Sequence, residues 1–116
     1  MRELRFRVWN PDKERMMYFM MTNIWFPDRY LIQYKIDVQQ FTGLLDKNGK
    51  EIYEGDLLEF AYTDNKKFVG KVEYKDKFAC FVVVVGNAFE TFSDLADHNQ
   101  SFKVVGNIFE NSELLK

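Results

Sequence analysis

The stretch FTGLLDKNGKEIYEGDLLEF, residues 41–60, decides the fold because it combines strand-forming residues with strong turn signals. Its centre is Asn48-Gly49, the strongest short signal for a β-hairpin, since a type I′ turn needs positive φ at both central residues. The predicted arms of this hairpin are residues 44–47 and 50–53. This stretch therefore predicts two antiparallel strands joined by a type I′ turn.

Further strands are predicted on the C-terminal side of this hairpin. Gly55-Asp56 predicts a second turn, and residues 57–62 alternate in polarity as a strand does. Residues 68–74 alternate in the same way. Residues 78–85 are apolar on both faces, which predicts a central strand or one covered by another element.

The N-terminal side also has the two-residue period of strands. Residues 4–9 alternate, and residues 10–13 carry turn chemistry in the order Asn-Pro-Asp-Lys. Residues 16–21 then predict a returning strand, with a helix as the alternative because methionine is a good helix former. After a loop, residues 30–38 show the clearest alternation in the chain and predict a strand with one solvated face.

The last third of the chain predicts short helical turns and one more strand. The aromatic spacing around residues 90–97 favours a single helical turn, and residues 102–108 favour a strand. Asn111-Ser112 predicts the start of a terminal helical turn. Seven or eight short strands at close spacing predict a mainly β fold, a small partly open barrel or sandwich with one or two helical turns. The element order resembles SH3-like barrels, and an α+β meander is the alternative.

Composition excludes several classes of protein. The chain has 116 residues, the usual size of one domain, and is 47% hydrophobic and 17% aromatic, which excludes a disordered chain. The net charge of −2 lacks the basic excess of a dedicated nucleic-acid binder.

The single Cys80 excludes an intrachain disulfide, and its apolar setting predicts an inert thiol. A charged N-terminus and an apolar run limited to residues 79–85 predict a cytoplasmic protein with no membrane partner.

Catalytic chemistry has little support in the sequence. His98 is the only imidazole in the chain, and together with Asp94 and Asp97 it is a candidate for a small metal cluster. Neighbouring residues of one turn seldom converge on one ion, so a solvated polar turn is favoured over a metal site. The sequence therefore predicts no metal, no cofactor and no catalytic residues, with an enzyme of unrecognised type as a remote alternative.

Two small surfaces are candidates for binding. The first is a basic and aromatic strand face that could pair phosphates and stack a base, and the second is a polar turn. The residues of the first surface are Arg5, Arg7 and Trp9, and those of the second are Tyr53, Glu54 and Asp56. The plain structural interpretation, a solvated strand face and a turn, is favoured for both.

Three segments of the chain resemble the YopX family, small proteins encoded by bacteriophages and prophages. They are residues 41–60, quoted above, the opening MRELRFRVWN and the ending VVGNIFENSELL at residues 104–115. The resemblance implies a phage or prophage origin, a bacterial cytoplasm and a fold dominated by strands across a single domain, residues 1–116. It implies no activity and no functional residues, because the family has neither established.

The leading functional hypothesis is a non-enzymatic interaction module that binds a phage or host protein. Self-association is a further expectation, because residues 30–38 and 78–85 present more apolar surface than a domain of this size readily hides. A nucleic-acid-associated accessory protein that uses Arg5, Arg7 and Trp9 is the alternative.

Overall fold

The computed structural model describes residues 4–20, 38–61, 66–93 and 102–115, and most of this structure is β-strand. Each strand pairs antiparallel with its neighbours. The strands are β1 (Arg5–Asn10), β2 (Arg15–Met20), β3 (Gln39–Leu45), β4 (Glu51–Tyr53), β5 (Asp56–Ala61), β6 (Lys67–Lys75), β7 (Cys80–Val85), β8 (Ala88–Thr91) and β9 (Phe102–Asn107). Two 3₁₀-helices, Asp76–Phe78 and Ser112–Leu115, complete the described elements. The predicted mainly β fold with short helical turns is confirmed.

The strands form two sheets. The first has four strands in the order β2-β1-β3-β4, and the second has five in the order β8-β7-β6-β5-β9. In the second sheet β5 to β8 form a meander, and β9 returns to pair with β5. This sheet forms a half-barrel whose strand order resembles that of SH3-like barrels, and β7 is a central strand as predicted.

The hydrophobic core lies on the inner face of the five-stranded sheet. Alternate residues of neighbouring strands point the same way, which brings Leu58, Phe60, Val72 and Val83 together with exposures of 2% or less. Burying each such side chain stabilises the fold by about 1.5–3 kcal/mol. Ile52 belongs to the same cluster although its strand, β4, is part of the other sheet. The core therefore fastens the two sheets to each other.

The central hairpin is confirmed, but its predicted turn type is wrong. Gly49 has a φ of +82°, whereas Asn48 is not among the described non-glycine residues with positive φ, so a type I′ turn is excluded. The Gly49 N–H donates to the Asp46 carbonyl at 3.0 Å, which makes a type I turn followed by a left-handed glycine. One Asp46 carboxylate oxygen accepts the N–H groups of Asn48 and Lys50, both at 2.8 Å, and this local bonding selects the observed turn.

The N-terminal hairpin forms as predicted, with β2 as a strand and not a helix. All six residues of β1 pair with β2. The Asn10 side-chain oxygen accepts the N–H groups of Asp12 and Lys13 at 3.0 and 3.2 Å, which closes the turn between the two strands.

The helical turn predicted at residues 90–97 is wrong for Glu90 and Thr91, which belong to strand β8, whereas Phe92 and Ser93 are helical as predicted. Gly86-Asn87 forms a two-residue hairpin loop that pairs Val85 with Ala88. Gly86, with a φ of +58°, supplies the positive φ that the first position of a type II′ turn needs. Residues 94–97 lie outside the described residues, as do residues 30–37 of the strand predicted over 30–38, and Val38 precedes strand β3.

The two turn glycines of the central stretch offer a matched test of backbone strain. Gly49 and Gly55 both have a φ of +82°, but a Cβ at Gly49 meets nothing within 4 Å, whereas at Gly55 it would lie 2.1 Å from the Gln39 amide nitrogen. We expect Gly49→Ala to lower the free energy of unfolding by about 1–2 kcal/mol, the cost of the left-handed conformation alone. Gly55→Ala adds a steric collision and is expected to cost clearly more. Urea unfolding of both variants checks this, and equal losses would contradict the assigned packing around Gly55.

Candidate functional site at the junction of the two sheets

The two sheets meet at the turn between β4 and β5, which consists of Glu54 and Gly55. The Gly55 N–H donates to the Val72 carbonyl at 2.8 Å, and the Gly55 carbonyl accepts from the Ile108 N–H at 2.9 Å. A side chain at Gly55 would collide with Gln39. The turn is therefore fixed from both flanks and requires glycine at this position.

Arg7 of β1 reaches across this junction and is almost fully buried. Its guanidinium forms an ion pair with Asp56, the first residue of β5, at 2.8 Å. The Arg7 Nε donates to the Gln39 side-chain oxygen at 2.8 Å, and Nη2 donates to the Glu54 carbonyl at 3.0 Å. The guanidinium also lies 4.9 Å from the centroid of the Tyr53 ring, within reach of a cation–π contact. Arg7 thus connects both sheets and the turn between them.

Both carboxylate oxygens of Asp56, the ion-pair partner of Arg7, have a bonding partner within the junction. Its second carboxylate oxygen accepts the Tyr53 N–H at 2.8 Å. Burial raises the pKa of Asp56, and the Arg7 guanidinium and the Tyr53 N–H oppose that rise. Because removing one partner of a buried pair leaves the other charge uncompensated, loss of either residue is expected to cost roughly 3–5 kcal/mol.

Glu54 and Tyr53 are also bound within the junction. A Glu54 carboxylate oxygen accepts the Gln40 N–H at 2.9 Å. Burial raises the pKa of Glu54, while that hydrogen bond and Arg7 act to lower it. Tyr53 is 3% exposed and contacts the rings of Phe41 and Tyr18, and burial raises the pKa of its hydroxyl to about 12. The phenol therefore stays neutral at physiological pH.

A second connection between the sheets runs from the central hairpin turn to β9. The other Asp46 carboxylate oxygen accepts the Val104 N–H at 2.9 Å, and the Lys47 N–H donates to the Phe102 carbonyl at 3.0 Å. Burial disfavours the Asp46 carboxylate, but the three N–H groups that bind it, together with the nearby Lys50 charge, outweigh burial and lower its pKa. Asp46 therefore stabilises its own turn and also fastens that turn to the neighbouring sheet.

A cleft of about 400 Å³ opens between these two connections. Its floor is formed by Arg7, Tyr53 and Asp56, and one wall is the outer side of β9. Tyr18 of β2 stands at the cleft, 61% exposed, with its ring 5.5 Å from that of Tyr53. A second cleft of similar volume touches the same junction through Glu54 and Gly55. The first cleft combines the exposed aromatic surface of Tyr18 with fixed polar groups.

Comparison with known proteins places this junction in a family. The YopX protein family model matches residues 26–116, which include the central hairpin, the junction turn and the C-terminal segment. The chain belongs to the YopX family. No curated protein matches the sequence. The crystal structure of protein EF1440 from Enterococcus faecalis is similar over 100% of both chains, with a TM-score of 0.67 and 21% identity, which shows a shared fold.

The two candidate binding surfaces that the sequence predicts separately lie next to each other in the structure. Arg7 from the first surface contacts Tyr53, Glu54 and Asp56 of the second. The hypothesis that the central signature is mainly structural agrees with this geometry, because its polar groups bond to one another. Asp46 was missed as a junction residue, although an aspartate two residues before Asn48 is a recognisable turn signal.

The predicted basic and aromatic strand face is wrong in one respect. Alternation places Arg5, Arg7 and Trp9 on one side of β1, but Arg7 is 3% exposed and cannot reach a phosphate. Arg5 forms an ion pair with Glu51. Trp9 stacks on Phe109 with a centroid distance of 5.5 Å and an interplanar angle of 2°. Nucleic-acid binding at this face stays a prediction, and within the described residues its side chains are engaged in contacts with the protein.

The C-terminal segment forms a turn that the sequence analysis did not anticipate. The Asn107 side-chain oxygen accepts the N–H groups of Phe109 and Glu110 at 2.9 and 3.0 Å. The Asn111 side-chain oxygen accepts the Asn107 N–H at 3.2 Å, and a Cβ at Gly106 would lie 2.5 Å from it. Asn107 and Asn111 therefore end β9, and both line the cleft described above.

The described parts of the chain hold no group of three or more His, Cys, Asp or Glu side chains placed to share a metal ion. The candidate cluster of Asp94, Asp97 and His98 lies outside those parts. Among the described residues, no helix has the length and apolar character needed to cross a bilayer.

The Asp46 hydrogen bonds predict a specific pH dependence. Because the folded-state pKa lies below the ordinary value of 3.8, the carboxylate contributes stability that is present above pH 3.8 and lost as the pH falls through the folded-state pKa. We expect Asp46→Asn to destabilise the protein by about 1–3 kcal/mol at neutral pH, since the Val104 N–H loses its acceptor. The difference from wild type should shrink below pH 3.8 in urea unfolding measured across pH. Asp12→Asn, in an exposed turn, is the control, and a difference independent of pH would contradict this role for Asp46.

Two arginines of β1 allow a matched test of the junction. We expect Arg7→Lys to lower the free energy of unfolding by on the order of 3 kcal/mol, because an ammonium cannot satisfy all the partners of the buried guanidinium. Arg5→Lys alters a pair that is about one-third exposed and should cost less than about 1 kcal/mol. Chemical unfolding of both variants checks the difference. Similar losses of unfolding free energy in the two variants would show that the buried contacts of Arg7 stabilise the protein no more than the exposed pair of Arg5.

Proposed function

We propose that this protein is a non-enzymatic interaction module, encoded by a phage or prophage, that binds a phage or host protein in the bacterial cytoplasm. The observation that carries the proposal is the inter-sheet cleft, where exposed Tyr18 stands beside a fixed floor of Arg7, Tyr53 and Asp56. Tyrosine is enriched at protein interfaces because it offers a large apolar surface together with a polar tip. No cofactor is needed for this role.

The state of the charged groups supports binding over catalysis. General acid–base chemistry needs a titratable group within reach of a substrate. Arg7 and Asp56 are instead buried against each other, and the Glu54 carboxylate accepts a backbone N–H. Their hydrogen bonds keep the floor of the cleft rigid, and a rigid floor favours binding because less conformational entropy is lost when a partner docks.

A matched pair of tyrosines tests this proposal. Tyr18 and Tyr74 are both exposed, at 61% and 42%, but Tyr18 lines the inter-sheet cleft and Tyr74 packs edge-on against Phe81 of β7. Tagged wild type, Tyr18→Ala and Tyr74→Ala would be recovered from lysogenic or infected cells and read by quantitative mass spectrometry, with and without nuclease.

We expect a nuclease-resistant protein partner to be retained by wild type and Tyr74→Ala and to fall at least about tenfold with Tyr18→Ala, the loss typical of an interface aromatic. A partner that disappears with nuclease would favour the nucleic-acid alternative. Recovery of further copies of this chain would identify self-association as the interaction. Equal protein recovery with all three variants would contradict a role for the cleft face.

A further inference from the structure

The inter-sheet cleft has the edges of two strands as its sides. Among the described residues, β4 is the last strand of the four-stranded sheet and β9 is the last strand of the five-stranded sheet. Both contribute lining residues to the cleft, β4 through Tyr53 and β9 through Val104 and Val105. Along these edges the N–H groups of Tyr53, Val104 and Asn107 are already bound within the chain, so the two edges shape the cleft and do not offer these groups to a partner.

Hydrogen bonds from residues outside the sheet hold the edge of β9 at both ends. The Asp46 carboxylate binds the Val104 N–H at one end. At the other end Asn111 binds the Asn107 backbone twice, accepting from its N–H at 3.2 Å and donating its own N–H to the carbonyl at 2.9 Å. The three residue steps between these points span about 10 Å at the rise of a β-strand. This length accommodates an extended segment of three or four residues.

The two ends of the cleft differ in charge. The bond from the Lys47 N–H to the Phe102 carbonyl places the central hairpin turn at the beginning of β9, and Lys50 of that turn lines the cleft. Glu110 lines it beyond the other end of β9. Both side chains are exposed, and in the described part of the chain neither has an ion pair. The remaining charged lining residues are paired, Arg7 with Asp56 and Glu51 with Arg5.

We infer that the cleft binds an extended peptide segment of the partner protein, aligned along β9, with an acidic residue at Lys50 and a basic residue at Glu110. An apolar residue between these two packs against Tyr18. The inference rests on the proposed function and specifies the chemistry of the partner. A peptide is favoured because, among the described residues, the two unpaired charges stand at opposite ends of a strand-length cleft, an arrangement that selects an extended segment by its charge order.

The experiment uses a displayed library of random peptides of about seven residues, selected on the intact protein, followed by calorimetry with the enriched peptides. The decisive variant is the charge exchange Lys50→Glu with Glu110→Lys. Both sites are exposed, so the fold is expected to survive, and thermal unfolding verifies this. Lys77→Glu with Asp76→Lys, at two exposed positions of the 3₁₀-turn between β6 and β7, is the control exchange.

We expect the enriched peptides to carry an acidic and a basic residue about three or four positions apart, as the length of the cleft requires. They should bind the Lys50→Glu/Glu110→Lys protein at least about tenfold more weakly. Peptides with their two charges exchanged should recover binding to that variant. The control exchange should leave the affinity unchanged.

Enrichment of no peptide, or of peptides that bind equally to wild type and to the Lys50→Glu/Glu110→Lys protein, would overturn the inference. Its failure is distinguishable from failure of the proposed function. If a Tyr18-dependent protein partner is recovered from cells while peptide selection fails, the interaction module stands and the partner binds through a folded surface. If neither experiment yields a Tyr18-dependent ligand, both proposals are wrong.

Discussion

A buried charge must keep its partner, and Arg7 and Asp56 impose this constraint on the whole molecule. Both side chains are less than 5% exposed and lie 2.8 Å apart, one in each sheet. The pair persists only if the two sheets hold their relative position, because separating the partners would leave one charge buried alone. The turn at Gly55, the Gln39 side chain and the Glu54 carbonyl are arranged around this guanidinium. The floor of the cleft is a consequence of the same arrangement.

The contacts around the Arg7–Asp56 pair explain the YopX signature in physical terms. Its glycines allow sharp turns, Asp46 fastens the hairpin to β9, and Asp56 anchors the arginine that arrives from the N-terminal strand. These polar residues serve the architecture, and the surface proposed for recognition is the cleft beside them. The neighbouring Tyr18 lies outside the matched region, which begins at residue 26, so the proposed surface combines the matched region with the N-terminal hairpin.

Local patterns in the sequence predicted most strands and the SH3-like order, because alternation and turn residues act over a few positions. The strand at residues 88–91 was missed because the prediction rested on aromatic spacing alone, whereas the hairpin loop at Gly86-Asn87 returns the chain along β7. The turn type at Asn48 was wrong because the Asp46 side chain outweighed the dipeptide preference. The burial of Arg7 could not be predicted, since it depends on a partner 49 positions away in the chain. Alternation alone predicts that an arginine on the polar face of a strand is exposed. Its burial can be predicted only when the carboxylate that pairs with it, distant in the chain, is already known.

Arg7 and Asp56 act as one unit that joins the sheets, and a double-mutant cycle measures this coupling. Arg7→Met, Asp56→Leu and the double variant would be compared with wild type by urea unfolding. We expect each single change to be severe and the double variant to be more stable than the sum of the two losses implies, with a coupling of about 1–3 kcal/mol. Losses that add to within about 0.5 kcal/mol would show instead that the two residues act independently and do not form one unit.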